Sequence, residues 1–374
     1  MSLNSYDVIG IREDLSDVVS AILLSDTNLL SRIGISGEAT STKHEWLESA
    51  LNPATITDAE VGGLDAAGTN LDLTITSGQN VRCRVGTLLR DTTRGKTEVL
   101  QVTTSAAALL TVTRGYGATS PEIHATGTVW RIIAQPKQEG EDASTGVETV
   151  RVRKYNYLEI FERAVSVSGT TQAVVKAGVP DEFSEQTQER LMELMVELDA
   201  AMVAGVISAA GSSTVYRTMD GIIQFLTQSG ANSNSTAEEI SYDAINQMCS
   251  DIEDDGGTPN VIACNQTQIR KISKFDLDKI RVVPGAGASG RFVTQILTDL
   301  GYVLDIVKDR NIPSDTAMVL DSTRIKVVPL INRAFGVKTI SVTGDAIKGQ
   351  IIGEYTLEVK NATQAHAIHT NLAV

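Results

Sequence analysis

The segment Pro180-Asp-Glu-Phe-Ser-Glu-Gln-Thr-Gln-Glu-Arg-Leu-Met-Glu-Leu-Met-Val-Glu-Leu-Asp-Ala-Ala-Met-Val-Ala-Gly-Val-Ile207 carries the longest helical pattern in this chain of 374 residues. Its start is typical of a helix N-terminus, and the pattern predicts one helix from about Ser184 to Ile207. The apolar stripe consists of Leu191, Leu194, Met195, Leu198 and Met202. The acidic stripe consists of Glu185, Glu189, Glu193 and Glu197. Like charges at this spacing repel each other, so the acidic stripe is either a solvated face or a surface for a basic segment.

The segment before this helix, Glu148–Ser168, alternates between apolar and polar residues for about twice the length of a usual strand. It is also basic, with Arg151, Arg153, Lys154 and Arg163 along its length. A β ribbon so long and so charged is difficult to bury in one compact domain. We therefore expect it to project from the body of the protein.

Between Val61 and Ile133 the sequence changes to short alternating runs separated by Gly, Asn, Asp and Ser. Such runs predict strands joined by tight turns. The expected strands are Leu71–Thr76, Val81–Arg90, Lys96–Thr103, Leu109–Arg114 and Gly127–Ile133. Strands at this spacing predict a small barrel or sandwich, inserted as a discrete module.

The two ends of the chain have different patterns. Ile11–Leu24 has the apolar spacing of an amphipathic helix, and Asp26–Pro53 reads as an irregular arm that carries Trp46. Residues 212–334 mix helices and strands, including predicted strands at Val261–Cys264 and Ala317–Leu320 and a predicted helix at Phe292–Leu300. Closing strands are expected at Thr339–Val342, Gln350–Val359 and Ala365–His369.

The composition excludes several classes of function. A formal net charge of −14 disfavours a nucleic-acid-reading surface, because affinity for phosphate comes largely from Lys and Arg. The start of the chain lacks a secretory signal, and the longest apolar run, Ala200–Gly211, is about half the length of a membrane span. The four His and three Cys form no metal-ligand or nucleophile motif, so we expect no cofactor, no metal and no enzymatic activity.

One motif points to another class of function. Gly285-Ala-Gly-Ala-Ser-Gly290 matches the glycine pattern of a dinucleotide-binding loop, and Asp305 lies at the distance of the ribose-binding acid. However, Pro284 adjoins the first glycine, and the neighbouring sequence offers too few strand–helix–strand repeats for a doubly wound sheet. A flexible loop is the preferred interpretation, and an oxidoreductase is the alternative.

The order of parts and a set of short marks resemble the major capsid proteins of tailed bacteriophages, whose Johnson-type fold is shared with herpesvirus shells. The marks span almost the whole chain: His44-Glu-Trp46, Asn52-Pro53, Asn156-Tyr157, Val167-Ser-Gly-Thr170, Met219-Asp-Gly221, Lys308-Asp-Arg-Asn-Ile-Pro313, Thr343-Gly-Asp345 and Glu354-Tyr-Thr-Leu-Glu-Val-Lys-Asn361. The resemblance implies an α+β fold with an N-terminal arm, an extended β loop, a long spine helix and a small β-barrel-like insertion.

The resemblance also implies a division of the chain. The N-terminal arm would be residues 1–53, and the extended loop residues 54–176, with the inserted β domain at about 61–133. The peripheral domain would comprise residues 177–211, with the spine helix, and 335–374. The axial domain would comprise residues 212–334.

The implied function is that of a major capsid protein, which assembles with itself into hexamers and pentamers of an icosahedral shell around double-stranded DNA. Scaffolding, portal and decoration proteins are the further partners that such a shell implies, with assembly in the host bacterial cytoplasm and no membrane. A phage tail protein is another alternative, but the long mid-chain helix argues for a head protein.

The charge pattern gives a specific expectation about subunit contacts. We expect Arg151, Arg153 and Lys154 of one subunit to lie against the acidic stripe of a neighbour, at Glu189, Glu193 and Glu197. Trp46 in the arm is a further candidate for a contact between subunits.

Overall fold

The computed structural model describes residues 27–49, 52–59, 63–142, 149, 151–174, 181–208, 215–228, 232–275, 280–281, 294–340 and 344–374. The chain divides into two compact units. The main unit contains Met1–Trp46 and Arg153–Val374, and the inserted unit contains Leu47–Val152. The predicted helix at Ile11–Leu24 and the glycine motif Gly285–Gly290 lie outside the described residues.

Both units are built from strands, and the main unit also has α-helices. The described helices are α1 Asn28–Ile33, α2 Gly169–Ala173, α3 Glu182–Ala204, α4 Ile222–Gln228, α5 Tyr242–Asp254 and α6 Gln266–Ile272. The first strands are β1 Lys43–Glu48, β2 Thr55–Thr57, β3 Asp72–Thr74, β4 Leu88–Asp91, β5 Val99–Ala106, β6 Leu109–Thr113, β7 Val129–Ala134, β8 Val152–Tyr157 and β9 Glu159–Ser168. The remaining strands are β10 Ser233–Asn234, β11 Val261–Cys264, β12 Ile280–Arg281, β13 Gln295–Leu297, β14 Val303–Lys308, β15 Ala317–Leu320, β16 Ile325–Pro329, β17 Gly336–Thr339, β18 Ala346–Val359 and β19 Ala367–His369.

Helix α3 is the predicted long helix, displaced by two residues at its start and three at its end. Its N-cap is Asp181, whose side chain accepts a hydrogen bond from the backbone N–H of Phe183. Leu194, Leu198 and Met202 are fully buried at i, i+4 and i+8, as the apolar stripe predicts. The helix therefore contributes one face to the core of the main unit.

That core also includes a sheet of four strands, in which β16, β17 and β9 all pair with β18. The pairing of β9 with β18 is antiparallel and runs from Glu159 opposite Tyr355 to Ser168 opposite Ala346. Phe161 and Val165 on β9 are buried in the same cluster as the apolar face of α3. The second half of the predicted ribbon is thus an integral strand of the main unit.

The predicted ribbon at Glu148–Ser168 is interrupted. Leu158 separates β8 from β9, and its backbone N–H donates to the carbonyl of Thr42. Strand β8 pairs with β1 from the arm, whereas β9 pairs with β18. The buried positions shift at this break, from Asn156 and Leu158 to Phe161, Val165 and Val167. An alternation pattern does not show which strand lies opposite, so the change of partner is visible only in the structure.

The second sheet of the main unit has seven strands in the order β10-β19-β15-β11-β14-β13-β12. Its central strands β11 and β15 are fully buried and match the predicted Val261–Cys264 and Ala317–Leu320. The closing strand β19 pairs with β15 and β10 of this sheet. The division of the chain into peripheral and axial domains stays a prediction.

The predicted helix at Phe292–Leu300 is wrong. Gln295–Leu297 form β13, which pairs in antiparallel fashion with both β12 and β14. A dinucleotide-binding unit needs a helix that joins two parallel strands. The antiparallel strand in this position, directly after the glycine motif, removes the structural basis of the oxidoreductase alternative.

The inserted unit is a six-stranded antiparallel sheet in the order β2-β7-β4-β5-β6-β3. An isolated bridge between Asp58 and Ile75 joins its two outer strands. The backbone N–H of Ala59 also donates to the carbonyl of Thr74. The sheet therefore curls around its own core, which includes Leu89, Leu100 and Trp130. The predicted strand Val81–Arg90 is shorter, because a single 3-10 turn occupies Gln79–Arg82.

Candidate functional site

The arm is anchored to the main unit through Trp46, on β1. Trp46 is only 6% exposed and packs against Phe225 of α4, with ring centroids 6.0 Å apart. Its neighbour His44 contacts Glu358 of β18, with Nε2 and Oε2 3.2 Å apart. Within one chain, Trp46 is thus mainly a core residue, and its contribution to a contact between subunits stays a prediction.

A carboxylate at the far end of β18 fixes the same part of the arm. The hydrogen bond from His44 lowers the pKa of Glu358 to about 2, and Lys360, 2.9 Å away, acts in the same direction against burial. These contacts join His44-Glu-Trp46 to Glu354–Asn361, two of the marks on which the family resemblance rests. A further pair of marks meets at Asn156.

Asn156 is fully buried between three segments of the main unit. Its side-chain Nδ2 donates to the carbonyls of Asp220 and Leu357, at 3.1 and 2.8 Å. Its Oδ1 accepts from the backbone N–H of Asp220 at 2.9 Å. This buried amide therefore connects β8 and β18 with the segment Met219–Gly221 that precedes α4. Three sequence marks, at Asn156-Tyr157, Met219–Gly221 and Glu354–Asn361, thus meet at one structural joint around Asn156.

The joint also places the end of α3. The backbone N–H of Gly221 donates to the carbonyl of Gly205, which follows the helix, at 2.9 Å. A Cβ atom on Gly221 would lie 2.5 Å from the nitrogen of Gly205, closer than any side chain permits. Glycine at position 221 therefore allows two backbone segments to touch.

The basic residues at the start of β8 have partners of their own. Arg153 Nη1 lies 3.4 Å from Glu45 Oε2, but 68% of the Arg153 side chain is exposed. Lys43 also contacts Glu45, at 2.6 Å, and its Nζ lies 4.1 Å above the centre of the Tyr155 ring. Arg151 is exposed and Lys154 is half-buried. The segment is a cationic edge that its own chain neutralises only in part.

The acidic stripe of α3 is also neutralised in part from within the chain. Arg163 on β9 lies 2.7 Å from Glu197 and 4.0 Å from Glu193. Arg190 on α3 contacts Glu193 as well. The sequence contains both cations, but the periodicity of the helix does not show that a strand places Arg163 against it. Glu189 lies outside the Arg163 contacts. The structure does not bring Arg151, Arg153 or Lys154 to this stripe within one chain.

A buried group of charges in the inserted unit escaped the sequence analysis. Glu98 and His124 are 0% and 1% exposed, and Glu98 forms a two-pronged ion pair with Arg114 at 2.6 and 2.8 Å. His124 lies between two carboxylates, 2.6 Å from Asp91 and 2.9 Å from Glu98. Its only sequence signal was a set of charged residues at the ends of otherwise apolar strands.

The electrostatics of this group favour ionised carboxylates. Burial acts to raise the pKa of Glu98, but hydrogen bonds from Arg114, from the backbone N–H of Glu122 and from His124 outweigh it and lower the pKa to about 2. Burial likewise opposes the lowering at Asp91, where the Thr93 hydroxyl and backbone N–H and His124 prevail. Because these side chains are closed to solvent, the group holds strands together and offers no reactive surface.

The remaining candidate side chains for chemistry are also buried. Burial raises the pKa of the Cys83 thiol to about 11 and those of Cys249 and Cys264 to about 12, which disfavours the nucleophilic thiolate. His366 accepts from the backbone N–H of Asp321. Burial lowers the pKa of His366 to about 4. Among the described residues, no group of three or more His, Cys, Asp or Glu side chains is arranged to hold a metal ion. No described helix is both long and apolar enough to cross a membrane.

Comparisons with known proteins agree with the resemblance drawn from the sequence. A family model described as SU10 major capsid protein matches residues 2–373. No curated protein sequence matches the chain. A solved structure from Microbacterium phage Oxtober96 has a TM-score of 0.54 at 13% identity, covering 99% of both chains. The capsid of a native GTA particle has a TM-score of 0.54 at 9% identity, covering 100% of both chains. A structure from Mycobacterium phage Adephagia has a TM-score of 0.51 at 11% identity, covering 100% of this chain and 99% of that one. These likenesses show a shared fold.

Proposed function

Because the chain belongs to the SU10 major capsid protein family and is a capsid shell protein, we propose that its copies form the hexamers and pentamers of an icosahedral shell around the double-stranded DNA of a tailed bacteriophage. The match of the family model from residue 2 to residue 373 carries this conclusion. A family of shell proteins implies a structural role and not an enzymatic one. The buried thiols and the closed charge group of the inserted unit support that role.

The proposed division of the chain into arm, extended loop, peripheral domain and axial domain follows the boundaries at residues 53, 176, 211 and 334. Support comes from the long pairing of β9 with β18 beside α3, and from the separate seven-stranded sheet. In this proposal the axial domain is centred on that sheet, and β19 joins it. The inserted unit, Leu47–Val152, would stand on the extended loop.

The proposed contact between subunits pairs opposite charges. Arg151, Arg153 and Lys154 of one copy would lie against the acidic stripe of α3 in the next copy. The exposed fraction of Arg153 and the position of Glu189 outside the Arg163 contacts support this pairing. Complementary charges of this kind mainly fix register and speed up encounter, and they add little to affinity.

Other partners follow from the proposed shell. Scaffolding, portal and decoration proteins would act with this chain during assembly in the host bacterial cytoplasm. The net charge of −14 suits a container, because a basic lining would adhere to the enclosed DNA.

Sedimentation velocity and negative-stain electron microscopy of the purified full chain test the proposed assembly. We expect closed shells, or free hexamers and pentamers, across a range of salt and protein concentrations. A small particle that persists at all concentrations, and also when the phage's other head proteins are co-expressed, would overturn the proposal.

Charge reversal tests the proposed contact. The double variant Arg151→Glu/Arg153→Glu should reduce the yield of shells at least tenfold while leaving the unfolding midpoint of the subunit almost unchanged, because both side chains are exposed. Adding Glu189→Arg and Glu193→Arg should restore part of the yield. Lys137→Glu, at an exposed cation outside β8, is the matched control. Normal shells from the double variant would refute the contact without refuting the shell.

A further inference from the structure

Two buried carboxyl groups meet where α1 enters the main unit. Asp199 lies in α3 and Asp309 directly follows β14, and both side chains are 0% exposed. Asn311 donates a hydrogen bond to each of the two side chains, and besides burial a hydrogen bond shared with Asp309 is among the causes that raise the pKa of Asp199. A hydrogen bond between two carboxyl groups needs a proton, since two buried carboxylates side by side repel each other strongly.

The acid pair holds the first turn of α1. The backbone N–H of Leu30 donates to Asp199 Oδ1 at 3.1 Å, and that of Leu29 donates to Asp309 Oδ2 at 3.4 Å. Asn311 donates to both acids, through Nδ2 to Asp199 at 2.7 Å and through its backbone N–H to Asp309 at 2.8 Å. The side chains of Leu29 and Leu30 are buried in the main core. The position of α1 therefore depends directly on these two carboxyl groups.

Nearby cations do not compensate the pair. In the described part of the chain, neither acid forms an ion pair with Lys, Arg or His, and Arg32 of α1 contacts Asp305. The pKa of Asp199 is raised to about 7 by burial and then by the Asp309 charge, against the hydrogen bonds from Asn311 and Leu30. The cationic side chains on the surrounding elements are Arg32, Lys308, Arg310, Arg324, Lys326 on β16 and Arg190 on α3. The first three are exposed, and Arg324 contacts Asp321.

We propose that Asp199 and Asp309 form a proton-dependent latch that fixes α1, and with it the arm, to the main unit. While the pair keeps one proton, the acids share a hydrogen bond and both accept backbone N–H groups of α1. Loss of that proton leaves two adjacent buried carboxylates, and their repulsion favours separation of α1 from α3 and the segment after β14. The arm of a shell subunit would then be held most firmly at acid pH and loosened towards neutral pH.

Proton linkage determines how the opening of α1 changes with pH. Opening of α1 admits water, which returns the Asp199 pKa towards its ordinary value of 3.8, so the open state releases the proton more readily than the closed state. The opening equilibrium therefore rises with pH between about 4 and 7 and is constant above that window. One proton limits the rise to about tenfold per pH unit.

Hydrogen exchange detected by mass spectrometry tests the latch in the full chain. The readout is the protection of a peptide covering residues 27–34, corrected for the intrinsic exchange rate at each pH from 5 to 8. We expect protection to fall at least threefold per unit between pH 5 and 7 and to level off above. A peptide covering α5 provides the internal reference, because α5 lies outside this contact.

Three variants separate the latch from a structural role. Asp199→Asn should remove the pH slope, since the amide cannot titrate and can still donate to Asp309. Asp309→Asn should weaken the slope without removing it, because burial still acts on Asp199. Asp305→Asn, which removes the Arg32 contact on the same helix, should lower protection equally at every pH and keep the slope. A wild-type peptide whose protection does not change with pH would overturn the latch, as would an unaltered slope in Asp199→Asn. The wild-type result decides even if a variant fails to fold.

Discussion

Glu98 in the inserted unit and Asp199 in the main unit are both fully buried carboxyl groups, yet the pKa of Glu98 falls to about 2 while that of Asp199 rises to about 7. Burial pushes both values upwards. Glu98 has Arg114 and His124 against it, whereas the closest charged neighbour of Asp199 is another acid. The difference shows that hydrogen bonds from a cationic partner can outweigh burial and keep a buried acid ionised, whereas an acidic neighbour adds to the effect of burial.

The inserted unit is closed by a charge group whose carboxylates stay ionised at any ordinary pH, so its sheet is held in one state. The main unit contains a contact whose strength depends on a proton near neutral pH. A shell subunit would then combine an insertion whose charge group does not change near neutral pH with an arm whose attachment through α1 depends on pH.

The largest expected effect comes from removing the carboxylate that Arg114 and His124 share. Glu98→Gln leaves Arg114 and His124 buried without their shared carboxylate, and such a break in a buried ion pair costs about 3–5 kcal/mol. Fluorescence of Trp130 can follow unfolding of the inserted unit if Trp46, the other Trp, is replaced by Phe. Glu122→Gln, at the partly exposed end of the same region, is the control and should have a much smaller effect. If both variants unfold alike, the charge group is not what holds the sheet.

An intermediate effect is the opposite response of the two units to pH. Glu98 has a pKa of about 2 in the folded protein and an ordinary value of 4.5, so its stabilisation is complete above pH 4.5 and is lost as the pH falls towards 2. Asp199 has a pKa of about 7 against an ordinary 3.8, so its stabilisation is greatest below pH 3.8 and is lost as the pH rises through 7. Between pH 4.5 and 7, Glu98 contributes no slope.

Two optical probes separate these responses. The described α-helices all lie in the main unit, so circular dichroism at 222 nm reports that unit, and Trp130 fluorescence reports the inserted unit. The stability difference between wild type and Asp199→Asn should shrink or reverse as the pH rises from 5 to 7. A constant difference would contradict the raised pKa of Asp199. Comparing wild type with a variant at one site cancels the contribution of His366, which also titrates in the main unit.

The smallest effect should come from an exposed acid. Glu197 faces Arg163 with 42% of its side chain exposed, so water screens the ion pair. Glu197→Gln should change the free energy of unfolding by less than about 1 kcal/mol. An effect as large as that of Glu98→Gln would mean that solvent exposure does not predict how much an ion pair contributes to the stability of this protein.

The sequence was sufficient for features that local patterns determine. Helix α3 follows from its cap at Asp181 and from apolar residues at helical spacing, and β11 and β15 follow from short buried runs. The helix predicted at Phe292–Leu300 failed because so short an apolar pattern suits a turn of helix and a hairpin strand alike, and pairing with β14 decides between them.

Contacts between residues that lie far apart in the sequence could not be predicted from local patterns. Asp199 and Asp309 are 110 positions apart, and His124 meets Asp91 across 33 positions. Nothing in either neighbourhood indicates the partner, because each residue alone is typical of a solvated surface. A local pattern is even less informative for the proposed Arg151–Glu189 contact, because the two residues would belong to different copies of the chain.

A cryo-electron microscopy map of particles assembled from the full chain would show directly how its copies meet. We expect a closed shell of hexamers and pentamers in which the start of β8 of one copy lies against α3 of the next. A particle built on another arrangement of subunits would contradict this expectation, as would a preparation without shells, hexamers or pentamers even when the phage's other head proteins are co-expressed.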